Sequence, residues 1–491
     1  FAGDGFLFES SIRLRSWMKP MGVPVAEGLV RRLTDELGRE SVLVSPEDLA
    51  VYGYDGTFIE GTPQVVVLPR TTEQVSRVVR IAAEARLPVI PRGMGSGLAA
   101  GSVPIPDGGI VVCLTRMNRI LEIDPLNGVV RCEAGVVTSD LQAEVERRGL
   151  FYPPDPSSNR HSTIGGNVAC NAGGPRCLKY GVTGDYVLGL TVVLADGQIL
   201  HTGGKPIKDV TGYDLTALFT GSEGTLGLVT EALLRLIARP RFTRTALAEF
   251  PSLKDASRSV NAILSAGILP SCLELMDQTA VVCVEQAMHL GLATDLEALI
   301  LIETDGADDQ AVLREIHGAA QIVRQYGARA VTVAADEAER KALWEARRAV
   351  SPALARMAPN KLGEDITVPR SAIPEIIQQL RRISADHGLP IVIFGHAGDG
   401  NLHPNILFDR REPEQCAKAE AMAKQIFQAS LSLGGTLSGE HGIGVLKRPY
   451  LESALGPLSL DVQRRIKQVL DPLDILNPGK MFPERAPLAE S

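Results

Sequence analysis

Glycine does not spread evenly along this 491-residue chain; it bunches at residues 93–101, 165–174, 221–227, 395–400 and 439–444. A residue without a Cβ lets backbone approach another backbone or a bound group closely, so each bunch marks a place where main chain does the contacting. Three bunches fall in the first half and two in the second, with no fixed period and no low-complexity tract. That excludes a repeat array and predicts loops at the ends of regular elements, in a chain long enough for two or three domains.

The segments between the bunches have the periodicities of strands and helices. Residues 64–68 read as a strand. Residues 71–86 read as an amphipathic helix, with Val75, Val78, Val79, Ile81 and Ala82 on one side behind an N-capping Thr71. Residues 87–90 form a second strand that delivers the chain into the first glycine loop. Strands at 110–114, 120–123 and 129–133, a helix at 139–148, a hairpin of 188–194 with 198–200 about Asp196-Gly197, and a run at 225–236 complete this region. Arg239-Pro240-Arg241 reads as a boundary. Beyond it the order becomes strand, long helix, strand (245–250, 253–266, 271–276) and again (298–303, 310–325, 330–333). A helix at 341–357 and strands at 365–368 and 390–394 around a helix at 373–387 follow. This is an α+β pattern, with helices on one face of an antiparallel sheet. Residues 1–44 are expected to hold a tail and a helix; Phe1 to about Pro20 is set aside from fold reasoning, and no apolar segment there has the form of a secretion signal. Residues 45–240 and 241–485 make the two domains.

The first loop, Pro91-Arg92-Gly93-Met94-Gly95-Ser96-Gly97-Leu98, follows a strand and offers successive N–H groups to a phosphate. Alone it is equally compatible with a tight turn. It is not a Rossmann fingerprint, because the spacing is G-x-G-x-G and no suitably placed acid follows, which disfavours a nicotinamide cofactor. Residues 153–158 leading into 163–174, then Asp209-Val210-Thr211-Gly212-Tyr213-Asp214, then 221–227, add glycine loops with hydroxyl and amide donors that can line an extended cofactor.

In the second half, Gly395-His396-Ala397-Gly398-Asp399-Gly400-Asn401-Leu402-His403 leaves a strand and turns back, and Ser438-Gly439-Glu440-His441-Gly442 makes another glycine turn. Four of the eight histidines, His387, His396, His403 and His441, lie in or near these motifs. Two imidazoles and a carboxylate suit Zn, Mn or Fe(II) with open coordination positions. Any one of these histidines could equally be an ordinary hydrogen-bonded residue.

These motifs resemble the vanillyl-alcohol oxidase/PCMH flavoproteins, and within them the branch of glycolate oxidase FAD subunits, D-lactate dehydrogenases and D-2-hydroxyglutarate dehydrogenases, from about Ser45 to the C-terminus. The resemblance implies a two-part PCMH-type FAD-binding domain, then an FAD-linked oxidase C-terminal domain whose residues 440–485 return to the first. It implies that Pro91, Arg92, Gly93, Met94, Gly95, Ser96, Gly97 and Leu98 cradle the pyrophosphate. Pro154, Asp155, Ser158, Gly165, Gly166, Asn167, Ala172, Gly173 and Gly174 would line the flavin. Gly221, Glu223, Gly224, Gly227 and Val229 would hold the adenylate side or the ring, and Asn477 would touch or brace the cofactor. It implies His396, His403 and Glu440 as ligands of one divalent metal, zinc first. His441 would be the catalytic base, and Arg347, Ser351 and Asn405 substrate contacts. Lys361 is a further cation for substrate, although the place of the hydroxyglutarate enzymes' lysine falls, ungapped, on Gly363. Met94 departs from the family's glycine or asparagine and requires φ < 0 or strain. The loop has no flavin-linking histidine near Ser96, so the FAD is expected to be dissociable.

The implied activity is oxidation of a small D-2-hydroxy acid, glycolate or D-lactate, with D-2-hydroxyglutarate as the alternative. The net charge of −8 leaves no basic surplus for nucleic acid, and no apolar run reaches the roughly 20 residues of a membrane-spanning helix. The seven cysteines, Cys113, Cys132, Cys170, Cys177, Cys272, Cys283 and Cys416, contain no C-x-x-C. They read as buried thiols of a reducing compartment and give no usual iron–sulfur spacing. Electrons are therefore expected to leave to a partner protein, a quinone or companion iron–sulfur subunits, in a homodimer or hetero-oligomer. The expected location is cytoplasmic, with membrane association only through partners. Two readings from other classes remain: a metal hydrolase, which leaves the glycine loops unexplained, and a non-catalytic flavin-bearing electron-transfer subunit, which leaves the histidines unexplained.

Overall fold

The computed structural model describes residues 27–106 and 108–483. The tail expected over residues 1–20 lies outside them; the expected N-terminal helix is Glu27–Leu37.

The first sheet orders its strands Val42–Leu43, Val65–Val67, Ile110–Cys113 and Val89–Arg92, the last three parallel. A parallel strand is covered on both faces and needs a continuous apolar run. Val65, Val66, Val67, Ile110, Val111 and Val112 supply it and are fully buried. The helix Thr72–Ala85 makes the crossover; Thr71 caps it by accepting from Gln74 N, and Val75, Val78, Val79, Ile81 and Ala82 face the core. A second, antiparallel sheet orders Ile120–Asp124, Val129–Glu133, Leu228–Arg235, Val187–Val193 and Ile199–Gly203. The hairpin turns at Asp196-Gly197, with Gly197 at φ 77°.

The largest sheet is antiparallel: Ala330–Val333, Phe242–Phe250, Ala298–Gly306, Cys272–Asp277, Ile391–His396, Asn401–Phe408 and Asn360–Gly363, with Ile366–Thr367 also on Asn401–Phe408. Helices were expected on one face, and the structure puts them on both. Leu273, Leu275, Ile300 and Ile302 pack under Leu253–Ser265, Asp309–Gln325, Ile373–His387 and Pro413–Ser432. Met276, Leu299, Val392 and Phe394 pack under Gln278–Met288 and Glu337–Met357. The reason is visible in the strands, which are apolar at consecutive rather than alternate positions, so neither face tolerates water. Gln278–Met288, Pro413–Ser432, Pro457–Leu470 and the strand Asn401–Phe408 were not anticipated.

The chain end comes back to the first sheet. Ile475 and Leu476 enter its core, Val89 N donates to Ile475 O at 2.7 Å, and Asn477 N donates to Val89 O at 2.8 Å. Val445 N likewise donates to Ala99 O at 2.9 Å. These contacts bring the two late glycine motifs against the early ones.

Candidate active site

One cavity of about 870 Å³ is lined by both halves of the chain. At one end lies the loop after Val89–Arg92. Met94 has negative φ, as its side chain requires, and Gly95 beside it takes φ 72°. A Cβ on Gly95 would come within 2.1 Å of the Arg92 guanidinium beneath it, which is itself fixed by donating to Tyr54 O at 2.6 Å. Among the described residues, none of the N–H groups of Met94, Gly95, Ser96, Gly97 and Leu98 donates to a protein acceptor, and all five residues line the cavity. A row of unpaired N–H groups over a buried arginine fits the diphosphate of an FAD.

The same wall holds Pro91, Arg92, Gly93, Asp155, Ser158, Gly165, Gly166, Asn167, Ala172, Glu223, Gly224, Gly227 and Val229. Pro154, Gly173, Gly174, Gly221 and Asn477 do not line it. The Pro154 carbonyl accepts from Gln142 Nε2 at 2.8 Å, and Gly221 N donates to Val168 O at 2.8 Å. Gly174, at φ 135°, abuts the Asp155 carbonyl. Gly173 backs onto Glu440, whose carboxylate a Cβ there would meet at 2.9 Å. Asn477 braces from behind, donating to Gly101 O and Glu223 O at 2.9 and 2.7 Å. The Glu223 carboxylate turns away from the cavity, accepting from Ile443 N and Gly444 N at 2.6 and 2.7 Å. The segment 209–214 corrects a second expectation. Val210 and Tyr213 are 97% and 96% exposed, because this stretch spans from Ile199–Gly203 to the helix Leu215–Phe219 over the surface, where Asp214 is that helix's N-cap.

At the other end a hairpin does the positioning. Ile391–His396 pairs with Asn401–Phe408 so that Phe394 faces His403, His396 faces Asn401 and Val392 faces Asn405. With a period of two, Phe394, His396, His403 and Asn405 share one face. Gly400 makes the turn possible: it sits at φ 88°, and a Cβ would lie 2.1 Å from Val368 O. Glu440 approaches from the 439–442 turn. His396 Nε2, His403 Nε2 and Glu440 Oε1 stand 3.4, 3.5 and 3.4 Å apart. An ion about 2.1 Å from each ligand in a tetrahedral site separates its ligands by roughly 3.4 Å, so the donor set fits a divalent cation.

Charge agrees with that fit. Burial opposes ionisation of Glu440, yet His396 and His403 hold its carboxyl down to about 2. Burial also opposes the charged form of His396, but Glu274 and Glu440 outweigh it and keep the imidazole well above its ordinary value. Burial takes His403 down to about 3. His403, His441 and Asp365 form a looser group, with Asp365 3.8 Å from His403 and 3.9 Å from His441. Its carboxylate is already engaged: Oδ2 accepts from Ser438 Oγ (2.7 Å) and from the N–H of Gly439, Glu440 and His441 (3.0, 3.0 and 2.9 Å), and Oδ1 accepts from Asn401 Nδ2 (2.7 Å). His441 stacks on His403, ring centroids 5.3 Å apart, and burial lowers its pKa.

The helix Glu337–Met357 brings Trp344, Arg347 and Ser351, spaced by three and four, to the cavity. Arg347 lies over the Phe394 ring at 4.8 Å and donates from Nε to Glu274 Oε2 at 2.6 Å. Arg348 is exposed to solvent, reaches the edge of the cavity and lies over the Trp344 ring at 5.6 Å. Lys361 donates to Ser351 Oγ at 2.6 Å. Gly363, the other place for that cation, faces Asn405, whose Oδ1 would be 2.9 Å from a Cβ. Sequence reasoning missed Glu274 and Asp365. A charged residue inside the apolar run Cys272-Leu273-Glu274-Leu275-Met276 was the available signal for the first.

Residues 63–203 match a family model described as an FAD binding domain, and residues 239–481 match one for the C-terminal domain of FAD linked oxidases. The glycolate oxidase subunit GlcD of Bacillus subtilis (strain 168) is 44% identical over 463 residues, covering 94% of this chain and 98% of that protein. A D-lactate dehydrogenase of Anaerostipes hadrus is 36% identical over 455 residues, covering 91% and 95%. Among solved structures, p-cresol methylhydroxylase with substrate bound shares the fold at a TM-score of 0.78 and 18% identity, covering 94% of this chain and 98% of that one.

Proposed function

The chain belongs to the FAD-linked oxidases of the vanillyl-alcohol oxidase/PCMH superfamily, and from that premise we propose that it oxidises a small D-2-hydroxy acid, glycolate or D-lactate, to the 2-oxo acid. The observation that carries the reading is the single cavity with unpaired N–H groups at one end and His396, His403, Glu440, Arg347 and His441 at the other. When bound there, FAD supplies the hydride acceptor and a divalent cation held by His396, His403 and Glu440, zinc before manganese or iron, supplies a Lewis acid for the substrate hydroxyl.

The chain's own residues do the rest. Arg347 spends its Nε on Glu274, which leaves the two terminal nitrogens of the guanidinium to clamp the substrate carboxylate. Burial keeps His441 neutral, so it can accept the hydroxyl proton. Asn405, which donates to His403 O at 2.8 Å, offers its amide oxygen to the substrate side. The residues of loops 93–98, 155–172 and 223–229 that line the cavity hold the cofactor. A second reading, D-2-hydroxyglutarate, is favoured by Lys361: it lines the cavity with no carboxylate within 4 Å among the described residues, as a distal substrate carboxylate would want. Electrons pass on to a companion protein or quinone, in keeping with relatives named as subunits. No helix among the described residues is long and apolar enough to cross a membrane; the proposed location is the cytoplasm, with any membrane association made by partners.

Anaerobic flavin bleaching by a panel of D- and L-2-hydroxy acids, with and without chelator, tests this. Glycolate or D-lactate is expected to bleach the flavin and a chelator to stop it. Bleaching by L-lactate alone rejects the stereochemical claim, and rapid bleaching by D-2-hydroxyglutarate alone moves the assignment to the second reading.

A further inference from the structure

Glu274 belongs to none of the motifs, yet it stands at the centre of the site. It lies on Cys272–Asp277, directly across from His396 in the antiparallel register, so the two side chains are cross-strand neighbours on one face. It is 1% exposed. Each oxygen has one partner: Oε1 meets His396 Nδ1 at 2.5 Å, and Oε2 accepts from Arg347 Nε at 2.6 Å. A carboxylate only accepts, so His396 donates from Nδ1 to Glu274, and that bond directs Nε2 at His403 and Glu440, as the nitrogen left to ligate a cation that displaces its proton.

We infer that Glu274 is a positioning residue that ties the metal-ligating imidazole to the substrate-clamping guanidinium, so that cation binding and substrate carboxylate binding are set by one side chain. The inference rests on the function proposed above. Its geometric content is specific. The carboxylate fixes the tautomer and the ring plane of His396, and the same carboxylate removes Nε from the choices open to Arg347. A displacement of Glu274 therefore misplaces both groups together. Two groups held by separate partners would instead fail separately.

The test compares FAD-loaded parent with Glu274→Gln and Glu274→Asp, well below the melting temperature of each. Zinc affinity is read by competition with a chromophoric chelator in the absence of substrate, and KM and kcat are read with glycolate. Gln cannot accept from both donors and Asp cannot reach both. Both variants are expected to bind zinc about 10- to 100-fold more weakly and to raise the glycolate KM roughly tenfold. Glu303→Gln is the control. Glu303 is also a buried acid lining the cavity, but it is bonded to Trp344 Nε1 and Arg340 rather than to His396, so its loss should leave zinc affinity within twofold. A folded, FAD-loaded Glu274 variant that binds zinc as the parent does overturns the tether. A zinc loss of the same size in Glu303→Gln also overturns it, since any cavity acid would then serve. A parent that binds no zinc sinks the metal reading itself, a different result from parent and variant binding equally. If Glu274→Gln does not fold, Glu274→Asp carries the comparison.

Discussion

Asp365 has no exposed surface, and an uncompensated buried carboxylate would be costly. It is compensated by Ser438, by three consecutive backbone N–H groups, by Asn401, and by Lys447 Nζ at 3.4 Å. Those three N–H groups belong to Gly439, Glu440 and His441, so this one side chain sets the turn that presents a proposed metal ligand and the proposed base. Asp365→Asn turns one acceptor into a donor facing other donors. The expected cost is about 3 kcal/mol of stability, within the range for breaking a buried charged pair, together with at least a tenfold fall in kcat. Thermal melts and steady-state kinetics of the FAD-loaded variant check both. A variant with unchanged kcat would free Asp365 from any part in placing His441.

Among the elements, the helix Gln278–Met288 shows how a cap becomes sensitive to pH. Its N-cap, Asp277, is buried and accepts from Ala280 N at 2.8 Å. Burial pushes this carboxyl up to about 7, against bonds from the Ala280 and Ile393 N–H groups and the charge of Arg381. The folded value lies above the unfolded one, so the fold favours the protonated form. The contribution is complete below about pH 4 and is lost as pH rises through 7. Asn caps a helix as well as Asp and never ionises. Asp277→Asn is therefore expected to match or trail the parent in Tm at pH 5 and to exceed it by several degrees at pH 8.5. Equal differences at the two pH values would show that Asp277 does not titrate in this window.

For the whole molecule, the cavity is lined by residues from both halves of the chain. A ligand that binds the folded state alone stabilises it by about 2.7 kcal/mol at one hundred times its Kd. FAD added to apoprotein should raise Tm by several degrees, and Gly95→Ala, strained at φ 72° and pressed on Arg92, should remove most of that rise while leaving the apoprotein Tm within a few degrees. Much of this molecule could be read from its residues. The helix behind Thr71 and the hairpin at Asp196-Gly197 follow from local periodicity, capping and turn chemistry, which act over a few residues. The motif 209–214 misled, because a glycine-bearing polar loop looks the same whether it meets a cofactor or water. Helices on both faces of the large sheet, and the parts taken by Glu274 and Asp365, were not legible. They depend on strand register and on which residues come opposite one another across the sheet, distances that no local pattern encodes. The sequence alone determined the kinds of groups available: N–H-rich loops, imidazoles, carboxylates and an arginine on one helix face. Only the tertiary structure decided that they share one cavity, because that required the chain end to return to Val89 and the 439–444 turn to dock on Glu223, closures paid for by burial far from the site.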